Sequence, residues 1–224
     1  KTWLTEATHL KGLFAQKAIE VNIPHNWDDY YGYRQLTHGN LHGTAIYEKT
    51  FTLDDSQFLI SNSSFGKRYF LRFEGVGTYA TITLNGKDFG RHPVGRTTLT
   101  LDVTDALKLG ENKLVVKAEH PEMIADMPWV CGGCSSEWGF SEGSQPLGIF
   151  RPVTLVETDE VRIEPFGVHI WNNEKADSVF VDLEIKNYSK HLQEIEVVNK
   201  LSDADGRQTF RLTQKLTLKP GELR

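Results

Sequence analysis

Residues 70–95, FLRFEGVGTYATITLNGKDFGRHPVG, decide the fold. Tyr69, Leu71 and Phe73 alternate with Phe70, Arg72 and Glu74, and Ala80, Ile82 and Leu84 alternate with Tyr79, Thr81 and Thr83. A period of two marks strands with one apolar face. Asn85-Gly86 stands between two extended runs, and both central residues of a tight hairpin turn need positive φ. The stretch therefore predicts two or three strands around a tight turn. A half-apolar hairpin must be covered by a second layer, so Leu71, Phe73, Ala80, Ile82 and Leu84 are the expected core.

Working outward, Thr44–Leu53, Thr97–Val103, Lys113–Glu119 and Ile149–Glu157 also read as strands. Pro24 forces Ile23 to be extended. Residues 28–41 form a loop rich in rings, with Tyr30, Tyr31, Tyr33, Arg34 and His38. Those rings either bind a ligand or roof the core. A domain boundary is expected near Asp159–Pro165. Beyond it, Val168–Trp171, Val179–Asn187, Gln193–Leu201 and Arg207–Leu218 read as four strands, with Asp203–Gly206 as a turn. The fold class is all-β, in two domains.

Composition agrees. The chain has 224 residues, 39% apolar and 11% aromatic, enough for a buried core. A net charge of −5 without a basic stripe argues against nucleic acid as partner. No apolar run approaches the ~20 residues of a membrane-spanning helix. Two cysteines are too few for a disulfide-built scaffold. Two sequons, at Asn62 and Asn187, matter only in a glycosylating host.

Residues 120–147, HPEMIADMPWVCGGCSSEWGFSEGSQPL, interrupt the strand rhythm. Trp129 and Trp138 can stack on sugar C–H faces, while Asp126, Glu137, Glu142 and Glu122 can accept sugar hydroxyls; equally, the tryptophans could plug the end of a sandwich. Cys131-Gly-Gly-Cys134 lacks the second ligand pair of a zinc site, leaving a local disulfide or two free thiols. Gly139-Phe-Ser-Glu-Gly143 spells a nucleophile elbow but lacks the strand before and the helix after it. His38 and His42 supply only two ligands, so neither a metal nor another cofactor is expected.

Four pieces of this chain, in order, resemble the N-terminal sugar-binding domain of glycoside hydrolase family 2. They are Val21–Trp27 (VNIPHNW), Gly43–Phe51 (GTAIYEKTF), Leu71–Gly90 (LRFEGVGTYATITLNGKDFG) and Gly148–Val153 (GIFRPV). The family includes β-galactosidases, β-glucuronidases and β-mannosidases. The resemblance implies a jelly-roll β-sandwich over residues 1–158 and the start of an immunoglobulin-like sandwich over 159–224, incomplete for a fold of about 100 residues. It implies the N-terminal, non-catalytic part of a retaining, exo-acting β-glycosidase, with a tag strand near the start. Both catalytic glutamates would lie on a (β/α)₈ barrel outside this chain, so it holds no catalytic residue and is inactive alone. The partners would be a β-linked glycoside and that barrel. The loop holding Glu122, Asp126, Trp129, Glu137, Trp138 and Glu142 would face the sugar pocket. β-Galactosidases of the family carry an aspartate in a Trp-Ser-Asp-Gly context early in this loop; here Glu119-His-Pro-Glu122 stands there, which puts that specificity in doubt. A free-standing carbohydrate-binding module and a ligand-free structural sandwich are the competing readings. The start at Lys1 and the cysteine pair favour an exported, periplasmic or secreted protein.

Overall fold

The computed structural model describes residues 2–8, 18–27, 43–54, 66–121 and 147–224, with backbone alone for 2–8 and 19. The chain forms two compact units, Lys1–Ile60 with Tyr69–Val156, and Ser61–Arg68 with Glu157–Arg224. The expectation of an all-β sandwich protein holds. Among the described residues the one helical element is a 3-10 turn at Thr104–Ala106.

The first unit holds a six-stranded sheet in the order β2-β1-β3-β8-β5-β6. Its strands are β1 (Thr2–Thr8), β2 (Ile19–Asn22), β3 (Gly43–Leu53), β5 (Val76–Leu84), β6 (Lys87–Gly95) and β8 (Gly110–His120). A second sheet runs β7-β4-β9, from Leu99–Asp102, Lys67–Phe73 and Val153–Asp159. The expected core residues meet between the sheets. Ala80, Ile82 and Leu84 of β5, with Val116 and Ala118 of β8 and Ala45 of β3, pack with Leu71 and Phe73 of β4. Burial on this scale, at about 25 cal/mol per Å² of apolar surface, is the main force holding the unit together.

The turn forms as expected, with φ of 52° at Asn85 and 84° at Gly86. Asn85 does more than turn the chain. Its side-chain amide donates to the Ala106 carbonyl at 2.8 Å and to Asn112 Oδ1 at 2.7 Å, while its Oδ1 accepts the Lys113 N–H at 2.9 Å. The hairpin tip is thereby fixed to the start of β8. One expectation needs correction: the second face of the stretch is not simply polar. Phe70 and Tyr79 are buried too, and the Arg91 guanidinium lies 3.6 Å from the Tyr79 ring centroid. Aromatic rings on the outer face find cover of their own, which a two-letter apolar/polar alternation cannot register.

The second unit is made of two hairpins. β10 (Val161–Asn172) pairs with β11 (Val179–Asn187), and β12 (Gln193–Ser202) pairs with β13 (Gln208–Leu218). The Asp203–Gly206 turn is held by the Asp203 carboxylate, which accepts the N–H groups of Asp205 and Arg207 at 3.0 and 2.8 Å. Strand runs through most of Asp159–Pro165, and one residue, Glu160, separates β9 from β10. Pro165 sits in the irregular part of the β10–β11 pairing, between Ile163 and Val168, where a missing N–H is tolerated. Asn187 is buried and donates to the carbonyls of His191, Leu218 and Lys219, so that sequon is closed to modification in the folded unit.

Candidate functional site

The residues singled out for a sugar site, Glu122, Asp126, Trp129, Glu137, Trp138 and Glu142, lie outside the described residues, as do Cys131, Cys134, His38, His42 and the rings of 28–41. What is described is how the ends of both loop segments are held in the first unit.

β3 and β8 are antiparallel and in register along their whole length, which sets Gly43 opposite His120. The segment 28–42 ends where β3 begins, and the segment 122–146 begins just past the end of β8, so the pairing brings those two ends together. His120 is fully buried and its Nδ1 lies 2.7 Å from Thr78 Oγ1 on β5. Past residues 122–146, Leu147 and Ile149 are buried. The Gly77 N–H donates to the Gly148 carbonyl at 2.9 Å, and the His25 N–H to the Ile149 carbonyl at 2.7 Å. His25 Nδ1 also lies 2.9 Å from the Tyr47 hydroxyl.

Tyr47 is the centre of this knot. Burial pushes its phenol well above the usual tyrosine range, and a backbone hydrogen bond from Ile149 pulls it only part of the way back. The hydroxyl is therefore a neutral, directional hydrogen-bonding group. Gly148 has a φ of 82°, and a Cβ placed there would fall on the Tyr47 hydroxyl. Only glycine satisfies both demands, the left-handed backbone and the close approach.

Glu119, near the end of β8, forms ion pairs with Arg91 at 3.2 Å and Lys117 at 3.1 Å. Among the described residues no group of three or more His, Cys, Asp or Glu could hold a metal ion. No described helix is long and apolar enough to cross a membrane. The His25–Tyr47–Ile149 and Thr78–His120 contacts were not foreseen. Their signal was faint: a glycine and two histidines bordering long loops.

These features define a β-sandwich module whose loop ends are hydrogen-bonded into its core. The chain belongs to the glycosyl hydrolase 2 galactose-binding domain-like family, whose model matches residues 10–127. It is 32% identical over 146 residues to a β-glucuronidase of Bacteroides fragilis, covering 65% of this chain and 18% of that protein. It is 25% identical over 227 residues to the β-galactosidase BoGH2A of Bacteroides ovatus, covering 91% and 24%. The chain thus spans a quarter or less of these relatives. Among solved structures, a Bacteroides uniformis β-glucuronidase matches with TM-score 0.76 and 21% identity over 100% of this chain and 26% of that one. A Bacteroides vulgatus β-glycosidase matches with TM-score 0.71 and 22% identity over 96% and 27%. At these identities the structural likeness concerns the fold.

Proposed function

We propose that this chain is the N-terminal, non-catalytic portion of a retaining, exo-acting β-glycosidase, and that it shapes the sugar pocket and braces a catalytic barrel of the same polypeptide. The observation that carries the reading is the pairing of family membership with partial span. Relatives named β-glucuronidase and β-galactosidase match this chain over only 18% and 24% of their length. In this reading residues 1–158 are the jelly-roll domain and 159–224 the opening part of an immunoglobulin-like one. The substrate is a terminal β-linked glycoside.

Glu122, Asp126, Trp129, Glu137, Trp138 and Glu142 then line one wall of the pocket. The buried Leu147–Ile149 and His120 support this, because ends fixed in a rigid core can present a loop with little loss of order. Cys131 and Cys134 would stiffen the same loop as a local bridge. In the full-length enzyme, Trp138→Ala or Glu142→Ala should lower kcat/KM on aryl β-glycosides while leaving the melting temperature nearly unchanged. A lost positioning contact of ~2 kcal/mol means roughly a thirtyfold drop. Unchanged kinetics with a lowered melting temperature would show the loop to be a plug on the sandwich. Turnover by residues 1–224 alone would overturn the non-catalytic reading.

A further inference from the structure

Successive side chains of a strand point to opposite faces, and the two faces of the β10–β11 hairpin differ in kind. Val168 and Ile170 of β10 and Val179 and Val181 of β11 line the groove toward the second hairpin. The residues between them, His169 and Trp171 on β10 and Phe180 and Asp182 on β11, therefore lie on the other face. Register sets Trp171 opposite Phe180 and His169 opposite Asp182.

The two rings are stacked, with centroids 5.5 Å apart and planes inclined by 17°. Each covers one face of the other. Each is nonetheless 46% exposed, so its second face meets water. The turn beside them is fixed by Asn173, whose Oδ1 accepts the N–H groups of Asp177 and Ser178 at 3.1 and 3.2 Å. The rings are thus held ready before any ligand arrives, which lowers the cost of binding. A cross-strand ring pair also stabilises its hairpin, but that role needs neither an open face nor the residues next along the strands.

Those residues supply a second, independent observation. His169 and Asp182 are both exposed. Among the described residues neither side chain has a hydrogen-bond or ion-pair partner. They stand about 7 Å from the rings, one step along the same face.

The four side chains together have the chemistry of a sugar site. A pyranose carries a patch of C–H on one face, which stacks on an aromatic face, and hydroxyls around its rim. A carboxylate accepts two neighbouring hydroxyls, and an imidazole both donates and accepts. The Asp182 charge beside the rings repels an anionic sugar, so a neutral one fits. The area decides against a protein partner. Side chains of about 150–250 Å² that are 46% exposed offer about 200 Å² together, against roughly 800 Å² per side in a stable protein interface.

We propose that Trp171, backed by Phe180, is the stacking surface of a second glycan-binding site, on the second unit, and that Asp182 and His169 bond the hydroxyls of a neutral, β-linked oligosaccharide. The choice of a β-linked ligand rests on the reading of this chain as part of a β-glycosidase; the stacking surface itself does not.

The test is a titration of the 224-residue chain with cellohexaose, β-1,4-mannohexaose and β-1,4-galactotetraose, followed by calorimetry and by the indole N–H resonance of Trp171. At least one of the three should bind and shift that resonance. Trp171→Ala should weaken binding on the order of tenfold, and Asp182→Asn about threefold or more. Trp171→Tyr keeps a ring and should retain most of the affinity. Asp182→Asn and Trp171→Tyr should melt with the parent, so that a loss of binding in the former is not a loss of folding. Binding of none of the three overturns the proposal, as does binding that Trp171→Ala and Asp182→Asn both leave intact. A change in sedimentation mass on Trp171→Ala also overturns it, because the ring pair is then a contact between copies. Trp138→Ala separates this site from the loop of the first unit. Binding lost in Trp138→Ala and kept in Trp171→Ala assigns the sugar to that loop and sinks the present proposal. Binding kept in Trp138→Ala and lost in Trp171→Ala supports it, whatever the kinetics say of the loop.

Discussion

The hairpin β5–β6 and the hairpin β10–β11 arise from the same kind of text, apolar residues at every second position, yet they end differently. On β5, Ala80, Ile82 and Leu84 are each 0% exposed. On β11, Val179 is 51% and Val181 39% exposed. Period-two alternation dictates that a segment will be a strand with an apolar face. Whether the face is dry depends on what the rest of the polypeptide lays over it. The first unit supplies a second sheet from within itself. The second supplies two hairpins with an open groove between them.

The largest expected effect follows from this contrast. Leu84→Ala or Phe73→Ala removes a fully enclosed side chain and should cost about 2–5 kcal/mol in denaturant unfolding. Val179→Ala in the 224-residue chain should cost less than about 1 kcal/mol, since half of its side chain is already in water. A Val179→Ala penalty as large as that of Leu84→Ala would break the comparison. It would mean that the groove is closed in solution.

The polar staples should not follow the same split. Asn112 donates to the Lys108 and Gly110 carbonyls at 2.7 and 3.0 Å and accepts from Asn85 and the Lys108 N–H. Asn187 plays the corresponding part in the second unit, joining Ser189, His191 and Leu218. Both are fully buried. Replacing either by Ala strands several backbone groups and should cost about 1–3 kcal/mol in its own unit. A negligible loss for Asn187→Ala would show that the second unit lacks fixed structure around that side chain.

Much of the fold is legible in the sequence, and the reasons differ by feature. The Asn85-Gly86 turn is readable because few residues tolerate positive φ at two successive positions. The core faces of β4 and β5 are readable because burial there is one-sided in its main features. Phe70 and Tyr79 escape because their cover comes from outside the local pattern. Pro165 could not be placed within a strand from its type alone; in the structure it falls in the irregular stretch of β10, where its missing N–H costs nothing. The knot of His25, Tyr47 and Gly148 joins residues far apart in the chain, and no local period records such a meeting. The loop residues chosen for sugar contact rest on chemistry and family resemblance, neither of which fixes the direction of a side chain.

The smallest expected effect separates two tyrosines, one in each unit. Burial pushes the Tyr47 phenol well above the usual tyrosine range. Tyr188 is only partly enclosed. Burial and a hydrogen bond to Glu164 push its phenol up to about 12, against the opposing pull of Arg162, whose Nη2 lies 3.3 Å from the hydroxyl. An unfolded tyrosine ionises near pH 10. Between about pH 10 and about pH 12 the folded state therefore retains a proton that the unfolded state has released. Stability tied to this group is intact below pH 10 and falls as pH rises through that window. Tyr188→Phe removes the group that titrates. Its unfolding midpoint should decline less steeply than that of the parent over the same interval, while lysine titration affects both proteins alike. The two should be compared in denaturant at intervals from about pH 8 to about pH 12. Curves that stay parallel throughout would mean that Tyr188 ionises as freely in the folded unit as in the unfolded chain, and that the Arg162–Glu164 pair does not enclose it.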